Sequence, residues 1–197
     1  MPHRSCSGYS LVELLVVIGI VTSVVGLSVP VFTNTADAAD AASAARHLAG
    51  IITRARFEAA RRHRTVAVRF SDDSADAPFS LVVDGDGDGV GAADVDAGID
   101  AELTAPDRLS DHFRGARFAI AGGMPGIDGA GPLTALDTPI RLGPGRQVSV
   151  TPLGTSTSGT LYVASRRGVQ YAVRIAGVTG RVRVLRYVPG EMRWAGQ

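Results

Sequence analysis

The stretch that decides the architecture is Gly8-Tyr9-Ser10-Leu11-Val12-Glu13-Leu14-Leu15-Val16-Val17-Ile18-Gly19-Ile20-Val21. It lies almost at the N-terminus, and Glu13 is the one carboxylate in an otherwise apolar run. No charged residue occurs from Leu14 through Ala36. A helix needs roughly 20 consecutive apolar residues to cross a bilayer, and this run is long enough. Because a carboxylate is costly inside hydrocarbon, we expect Glu13 to have a partner or a purpose there.

The order of features differs from that of an ordinary secretory signal. Such a signal has a basic segment, a short apolar segment and then a small-residue cleavage site. Here the polar leader of residues 1–8 is short, and the acidic residue stands at the front of the apolar run. The chain then continues through Pro30 into an Ala-rich helical pattern, instead of ending the apolar run at a cleavage site. A simple membrane anchor explains the length of the run but leaves Glu13 unexplained.

The N-terminal pattern resembles that of type IV pilins and of the pseudopilins of type II secretion. The resemblance rests on Gly8, the aromatic Tyr9, Glu13 four residues further on, and the long apolar helix with Pro30 in it. It implies that a prepilin peptidase in the membrane cleaves between Gly8 and Tyr9 and methylates the new amine of Tyr9. It also implies that Glu13 is the assembly glutamate and that Pro30 perturbs or kinks the helix.

Elementary electrostatics suggests what Glu13 does. Tyr9 and Glu13 are four residues apart and therefore share one face of a helix. After cleavage the Tyr9 amine is a cation, whereas Glu13 is an anion in a poor solvent. We expect Glu13 of an incoming subunit to pair with the Tyr9 amine of a neighbour, so that assembly removes an unpaired charge from lipid. The alternative is that Glu13 reaches the lipid headgroups from the helix end.

Composition excludes several functional classes. The 20 basic and 19 acidic residues give a formal net charge of +1, which predicts no particular partner. The one cysteine, Cys6, lies in the predicted leader, so the mature chain would have no disulfide. No nucleophile elbow or phosphate-binding Gly-Lys motif occurs. The four histidines are scattered along the chain without metal-ligand spacing: His3, His47, His63 and His112. We therefore expect that the protein is not an enzyme and needs no cofactor, calcium apart.

The helical period continues to about residue 63 and then gives way to alternation. Small and apolar residues recur every three or four positions and predict a stripe that packs on the following domain: Ala41, Ala44, Leu48, Ile51, Ile52, Ala55 and Ala59. Alternating segments predict strands at 65–70, 80–83, 117–121, 147–150, 160–164, 171–175 and 181–187. The Gly- and Pro-rich stretch 122–137 predicts a long loop. Short connections between the last strands favour antiparallel pairing.

These patterns give the domain organisation and the fold class. We expect a leader at 1–8, a long helix at 9–63 whose part 9–31 is transmembrane, and a periplasmic β-rich head at 64–197. The fold class is α+β, with the helix packed on an antiparallel β-sandwich as in pilins.

The C-terminal region, from Thr155 to Tyr187, resembles the GspH/FimT group of minor pilins and pseudopilins. Its strands Thr160–Ala164 and Tyr171–Ile175 precede Thr179-Gly180-Arg181-Val182-Arg183-Val184. The resemblance implies a two-sheet head beside the helix. It also implies a minor pseudopilin of type II secretion, a filament or tip subunit that supports protein secretion. Its partners would be the prepilin peptidase, the inner membrane and other pilins or pseudopilins, and its location a periplasmic pseudopilus.

The alternative within the group is a FimT-like minor pilin of type IV pili that binds DNA for uptake. Some FimT-like members use a Gly-Arg-x-Arg near the C-terminus, which here is Gly180-Arg181-Val182-Arg183. Arg181 and Arg183 are two residues apart on a strand, so they share a face and could hold phosphates. An exposed strand that simply carries arginine explains the same pattern. A membrane-anchored β domain of unrelated function is a further alternative.

One acidic segment suggests a metal ion. Asp84-Gly85-Asp86-Gly87-Asp88-Gly89 matches the beginning of a calcium loop, with carboxylates at positions 1, 3 and 5 and glycine at 6. Position 12, which needs an acid, is Val95, but the neighbouring Asp94 offers a substitute. The candidate calcium ligands are therefore Asp84, Asp86, Asp88 and Asp94. The alternative is a glycine-rich hairpin loop in which aspartates favour turns.

Overall fold

The computed structural model describes residues 9–127, 131–143 and 145–196, and for residues 25–35 it describes the backbone alone. The chain divides into two compact units, Met1–Ala36 and Asp37–Gln197. The division falls inside the first helix, so the second half of this helix belongs to the same unit as the head. The predicted leader, with Gly8, lies outside the described residues.

Helical structure at the N-terminus gives way to short strands further along the chain. In chain order the elements are α1 (Leu11–Arg62), β1 (Val66–Phe70), β2 (Phe79–Val83), α2 (Ala92–Asp96), β3 (Ala101–Glu102), α3 (Leu109–His112), β4 (Arg117–Phe118), β5 (Met124–Pro125), β6 (Pro132–Leu133), β7 (Ile140–Arg141), β8 (Gln147–Val150), β9 (Gly159–Ala164), β10 (Gln170–Ala176), β11 (Arg181–Val188), a 3-10 turn (Pro189–Glu191) and β12 (Arg193–Gly196). The protein is thus α+β, with an N-terminal helix and antiparallel sheets, as predicted.

In the first unit, α1 carries large apolar side chains that are exposed along 11–24, where Leu14 and Val17 are both 54% accessible. The backbone of α1 is helical through Pro30, whose side chain is not among those described, so the predicted kink stays a prediction. Among the residues that the structure describes, no helix has the length and apolar character needed to cross a membrane.

In the second unit, the predicted stripe of α1 is buried except for Ile51, which is partly buried, and Ala45 joins it. The buried positions are each 2% accessible or less: Ala41, Ala44, Ala45, Leu48, Ile52, Ala55 and Ala59. Methyl side chains let the helix approach the sheets closely, and the larger Leu48 and Ile52 fill the spaces between strands. Because one core cluster contains this stripe and residues of both large sheets, the helix and the sheets share one interior.

Two antiparallel sheets form the head. The first has the order β3-β2-β1-β8, and the second has the order β12-β11-β10-β9-β4, with β7 also pairing with β9. Strand β9 is buried on both faces. Leu161 and Val163 face the core shared with α1, while Tyr162 belongs to a second cluster with Met124 and Leu133. The short hairpin β5–β6 therefore covers the outer face of the second sheet.

The structure differs from the sequence-based expectations in several places. The strand predicted at 117–121 is only Arg117–Phe118, because it pairs with β9 over just two residues. The loop predicted at 122–137 contains the β5–β6 hairpin. The helices α2 and α3 and the strands β3, β7 and β12 were not anticipated, because each is short and offers little periodicity.

Candidate functional site

The N-terminal face of α1 is the first candidate site. Tyr9, Glu13, Leu14 and Val17 line one shallow depression on the helix. Helical hydrogen bonding starts where the Leu14 N–H donates to the Ser10 carbonyl at 3.1 Å. Glu13 therefore lies in the first turn, where the helix dipole favours a negative charge. The geometry places Tyr9 and Glu13 on the same face, while cleavage after Gly8 and methylation of Tyr9 stay predictions.

The acidic loop after β2 is the second candidate site. Carboxylate oxygens of Asp84, Asp86 and Asp88 lie within 4.8 Å of one another, an arrangement suited to one cation. Asp84 is only 4% accessible. Its Oδ1 accepts a hydrogen bond from the Gly87 N–H at 2.6 Å and its Oδ2 accepts one from the Gly89 N–H at 3.2 Å. Asp84 therefore shapes the loop by holding its backbone.

A second buried carboxylate, Asp100, completes this loop and was missed from the sequence. It is 2% accessible and accepts hydrogen bonds from the N–H groups of Gly85 and Gly91, both at 2.9 Å. It follows α2 and has no motif spacing to Asp84, so the only signal was its place in an acidic segment. Asp84 and Asp100 together fix both ends of the loop.

The carboxylates of this loop raise the pKa of one member, Asp88. A hydrogen bond with Asp86 is the largest cause of the raised pKa of the Asp88 carboxyl; the charge of Asp86, burial and the charges of Asp94 and Asp84 follow in that order. Asp94 is thus close enough to act on the loop, although it is not in the group of three that converges within 4.8 Å. A bound cation would relieve this repulsion, and calcium binding at Asp84, Asp86, Asp88 and Asp94 stays a prediction.

The arginines of β11 form the third candidate site. Arg181 and Arg183 are exposed on this strand, and Arg183 lies directly opposite Arg174 of β10. Together with Arg46 of α1 and Trp194 of β12, Arg181 and Arg183 line one groove. The sequence identified the two strand arginines but not Arg46 or Trp194, because their proximity depends on how α1 and β12 pack.

Two histidines that are scattered along the sequence are brought together by the fold, which spacing alone did not predict. His47 Nε2 lies 3.2 Å from Asp107 Oδ2, and His112 Nε2 lies 2.9 Å from Asp107 Oδ1. Burial raises the pKa of the Asp107 carboxyl, but hydrogen bonds from His47 and His112 outweigh this effect, and the net pKa is below its ordinary value. We call these three residues the His–Asp–His cluster.

An N-terminal helix joined to antiparallel sheets, with an acid-bearing apolar segment at its start, is the arrangement of pilin-like proteins. Comparison with family models identifies the group: residues 44–180 match the family described as type II transport protein GspH. The match covers more than half of the chain, and the chain belongs to this family. No curated protein and no solved structure matches the chain. The matched range includes most of the buried half of α1 and ends at Gly180, immediately before Arg181.

Proposed function

We propose that this protein is a minor pseudopilin of a type II secretion system, a structural filament or tip subunit that supports protein secretion. The observation that carries the proposal is the GspH family match over residues 44–180, which spans most of the second half of α1 and most of the head. The family supports a pseudopilin role in general, with other pseudopilins as partners in a periplasmic filament. The proposal adds the processing, the membrane insertion and the assembly chemistry of the N-terminus.

The proposed N-terminal chemistry has three steps. A prepilin peptidase hydrolyses the peptide bond between Gly8 and Tyr9 and releases the leader. The same enzyme methylates the amine of Tyr9, which remains a cation. Residues 9–31 then hold the subunit in the inner membrane, with the head in the periplasm, until Glu13 pairs with the amine of a neighbouring subunit. The uncharged run from Leu14 to Ala36 supports membrane insertion.

A processing experiment tests the first two steps. The chain is produced in cells with an active prepilin peptidase, and its intact mass is measured. We expect a chain that begins at Tyr9 and carries the mass increment of one methyl group. Protein that keeps Met1 in such cells would contradict the proposal, and cells without the peptidase provide the control.

An assembly experiment tests Glu13. We expect Glu13→Ala to be processed and folded normally but to lose incorporation into filaments with the other pseudopilins, because the amine loses its counter-charge. Glu13→Asp, which keeps the charge on a shorter side chain, should retain part of the incorporation, and Ser10→Ala serves as the matched control. Secretion in a strain lacking the gene should be restored by the wild-type chain but not by Glu13→Ala. Unchanged incorporation of Glu13→Ala would remove the pairing step.

DNA binding by a FimT-like minor pilin is the second candidate function. One specific observation favours it: Arg46, Arg181 and Arg183 converge on one groove beside Trp194. Clustered arginines attract phosphates, and each phosphate contact contributes to a salt-dependent affinity. Binding of labelled DNA should weaken in Arg183→Gln, with the slope of log K against log salt reduced by about 1. Arg117→Gln on β4 is the control, and absent or salt-insensitive binding would exclude this candidate.

A further inference from the structure

The His–Asp–His cluster joins three parts of the chain that are distant in sequence. His47 belongs to α1, Asp107 lies 60 residues further on, and His112 is the last residue of α3. The two imidazole rings are 5.1 Å apart between centroids. One potential ligand atom from each of the three residues lies within 4.8 Å of the others.

The surrounding structure holds the three side chains in place. Asp107 forms an antiparallel bridge with Phe79: its N–H donates to the Phe79 carbonyl at 2.8 Å, and its carbonyl accepts from the Phe79 N–H at 2.9 Å. The His47 ring packs against Phe79 and Phe113, with centroid distances of 6.4 and 5.6 Å. Leu109, fully buried, anchors the α3 turn that carries His112. The cluster is therefore pre-organised by β pairing, aromatic packing and a buried anchor.

We propose that His47, Asp107 and His112 bind one divalent transition-metal ion. Zn²⁺ is used below as the representative of this class, both for ligand distances and for the binding test. Two imidazoles and one carboxylate suit this class of metal, whereas calcium and magnesium prefer oxygen ligands alone. Zn–N distances of about 2.0 Å and Zn–O distances of about 2.1 Å place neighbouring ligands of a tetrahedral site about 3.3 Å apart. The two N–O distances of 3.2 and 2.9 Å, each to a different oxygen of the Asp107 carboxylate, are close to that spacing.

The solvent exposure of the three side chains indicates which ligand takes the fourth position on the ion. The side chains of His47 and Asp107 are each 28% accessible and that of His112 is 48% accessible, so the cluster opens to solvent on one side. A water molecule can take the fourth position, as in zinc sites with three protein ligands. The solvent side also lets the ion reach its ligands.

The proton balance follows from the atoms involved. Each Nε2 lies within hydrogen-bond distance of an oxygen of Asp107, and because an ionised carboxylate only accepts, the metal-free pairing needs a proton on each Nε2. A metal needs the lone pair of Nε2, so each neutral imidazole must carry its proton on Nδ1 instead. A histidine that is protonated on both nitrogens must release one proton, and metal affinity should therefore fall as the pH is lowered. The bound ion would tie the second half of α1 to the segment 107–112.

The test uses the full chain, purified in detergent and stripped of metal with a chelator. Zn²⁺ is titrated by calorimetry, and Co²⁺ is used as a visible-absorption probe of the ligand field. We expect one ion per chain and at least a tenfold weaker affinity in His112→Asn. Mutation of a residue that only orients a metal ligand already costs about 10- to 100-fold in metal affinity. His63→Asn is the matched control, since His63 lies outside the cluster and its φ of 53° is one that Asn tolerates.

Two further measurements keep the proposal falsifiable, and the first of them needs no variant. Zn²⁺ should shift the imidazole NMR signals of His47 and His112 in the wild-type chain and leave those of His63 in place. Zn²⁺ should also raise the melting temperature of the wild type but not of His112→Asn, because a ligand of the native state stabilises it. Absence of Zn²⁺ binding at sub-millimolar concentration, or binding unchanged in His112→Asn, would overturn the proposal. Loss of binding in Asp86→Asn instead would also overturn it, since the ion would then lie in the acidic loop.

Discussion

The two halves of α1 have the same backbone conformation but different surroundings. Between Leu11 and Val24 the apolar side chains are large and exposed, whereas between Ala41 and Ala59 they are mostly small and buried. The second half has its apolar neighbours within the chain, in the two sheets. The large apolar side chains of the first half are not buried against other described residues of their own unit. Exposed apolar surface of this extent is typical of segments that contact lipid or other proteins.

Side-chain size explains the contrast. Leu, Val and Ile in the first half offer much apolar area, and this area is exposed. Alanine in the second half contributes little apolar area, but its small side chain lets the helix pack closely on the sheets of the head. The GspH match begins at residue 44, within the second half, so the family model recognises the part of α1 whose partners are in the same chain.

The largest expected effect is on the free energy of unfolding of the head, which should depend on a residue of the second half of α1 but not on one of the first half. Leu48 is 1% accessible, and Leu48→Ala should lower the free energy of unfolding of the head by about 2–5 kcal/mol, through lost burial and a residual cavity. Val16 is 54% accessible, so Val16→Ala should leave that transition unchanged. Urea unfolding of the full chain in detergent measures both. Equal effects of the two substitutions would mean that the contrast between the halves has no energetic basis.

A smaller effect is expected at Asp37, the first residue of the second unit. Its carboxylate accepts hydrogen bonds from the N–H groups of Arg166 and Arg167 in the β9–β10 turn, at 3.2 and 3.0 Å. Burial raises the pKa of Asp37, but hydrogen bonds from Ser165 and these two N–H groups outweigh it and lower the pKa overall. Asp37→Asn should therefore cost about 1 kcal/mol at neutral pH.

The pH dependence gives Asp37 a second test. Because its pKa is lower in the folded state, the ionised carboxylate stabilises the fold above the ordinary aspartate pKa of 3.8. This contribution is lost as the pH falls through the folded-state pKa, so the difference between wild type and Asp37→Asn should shrink in that acid range. Asp40→Asn, one turn further along α1, is the comparison variant. A difference that stays constant through the acid range would show that the charge of Asp37 is not what matters.

Much of the fold follows from local patterns in the sequence. The three- and four-residue spacing from Ala41 to Ala59 predicts which face of α1 is buried. The alternation in β8 to β11, interrupted by Gly168 and Gly180 at turns with positive φ, predicts the antiparallel hairpins. Both signals act within a few residues, so no knowledge of the tertiary fold is needed to read them.

The parts that were missed depend on contacts between distant segments. His47 and His112 meet only because Phe79 bridges to Asp107 and because α1 packs on this sheet. Asp100 holds the acidic loop because β3, which follows it, pairs with β2, and this pairing brings Asp100 next to Gly85. Trp194 belongs to the short strand β12, whose position depends on pairing with β11. No spacing in the sequence encodes these proximities, and a helix of four residues such as α3 has too few residues to show a period.

The smallest expected effect uses a pair of matched glycines, one in each half of α1. Gly19 and Gly50 are both exposed helix residues, and a Cβ atom added at either position meets nothing within 4 Å. Alanine in place of glycine favours a helix by roughly 0.5–1 kcal/mol, because the unfolded chain loses less freedom on folding. Gly50→Ala should therefore raise the free energy of unfolding of the head by that amount. Gly19→Ala should leave this transition unchanged and act only on the helicity of the first half, measured by circular dichroism of the full chain in detergent. If Gly19→Ala stabilised the head as much as Gly50→Ala does, the two halves would unfold as one cooperative unit, and the division of the chain at Ala36 would have no thermodynamic counterpart.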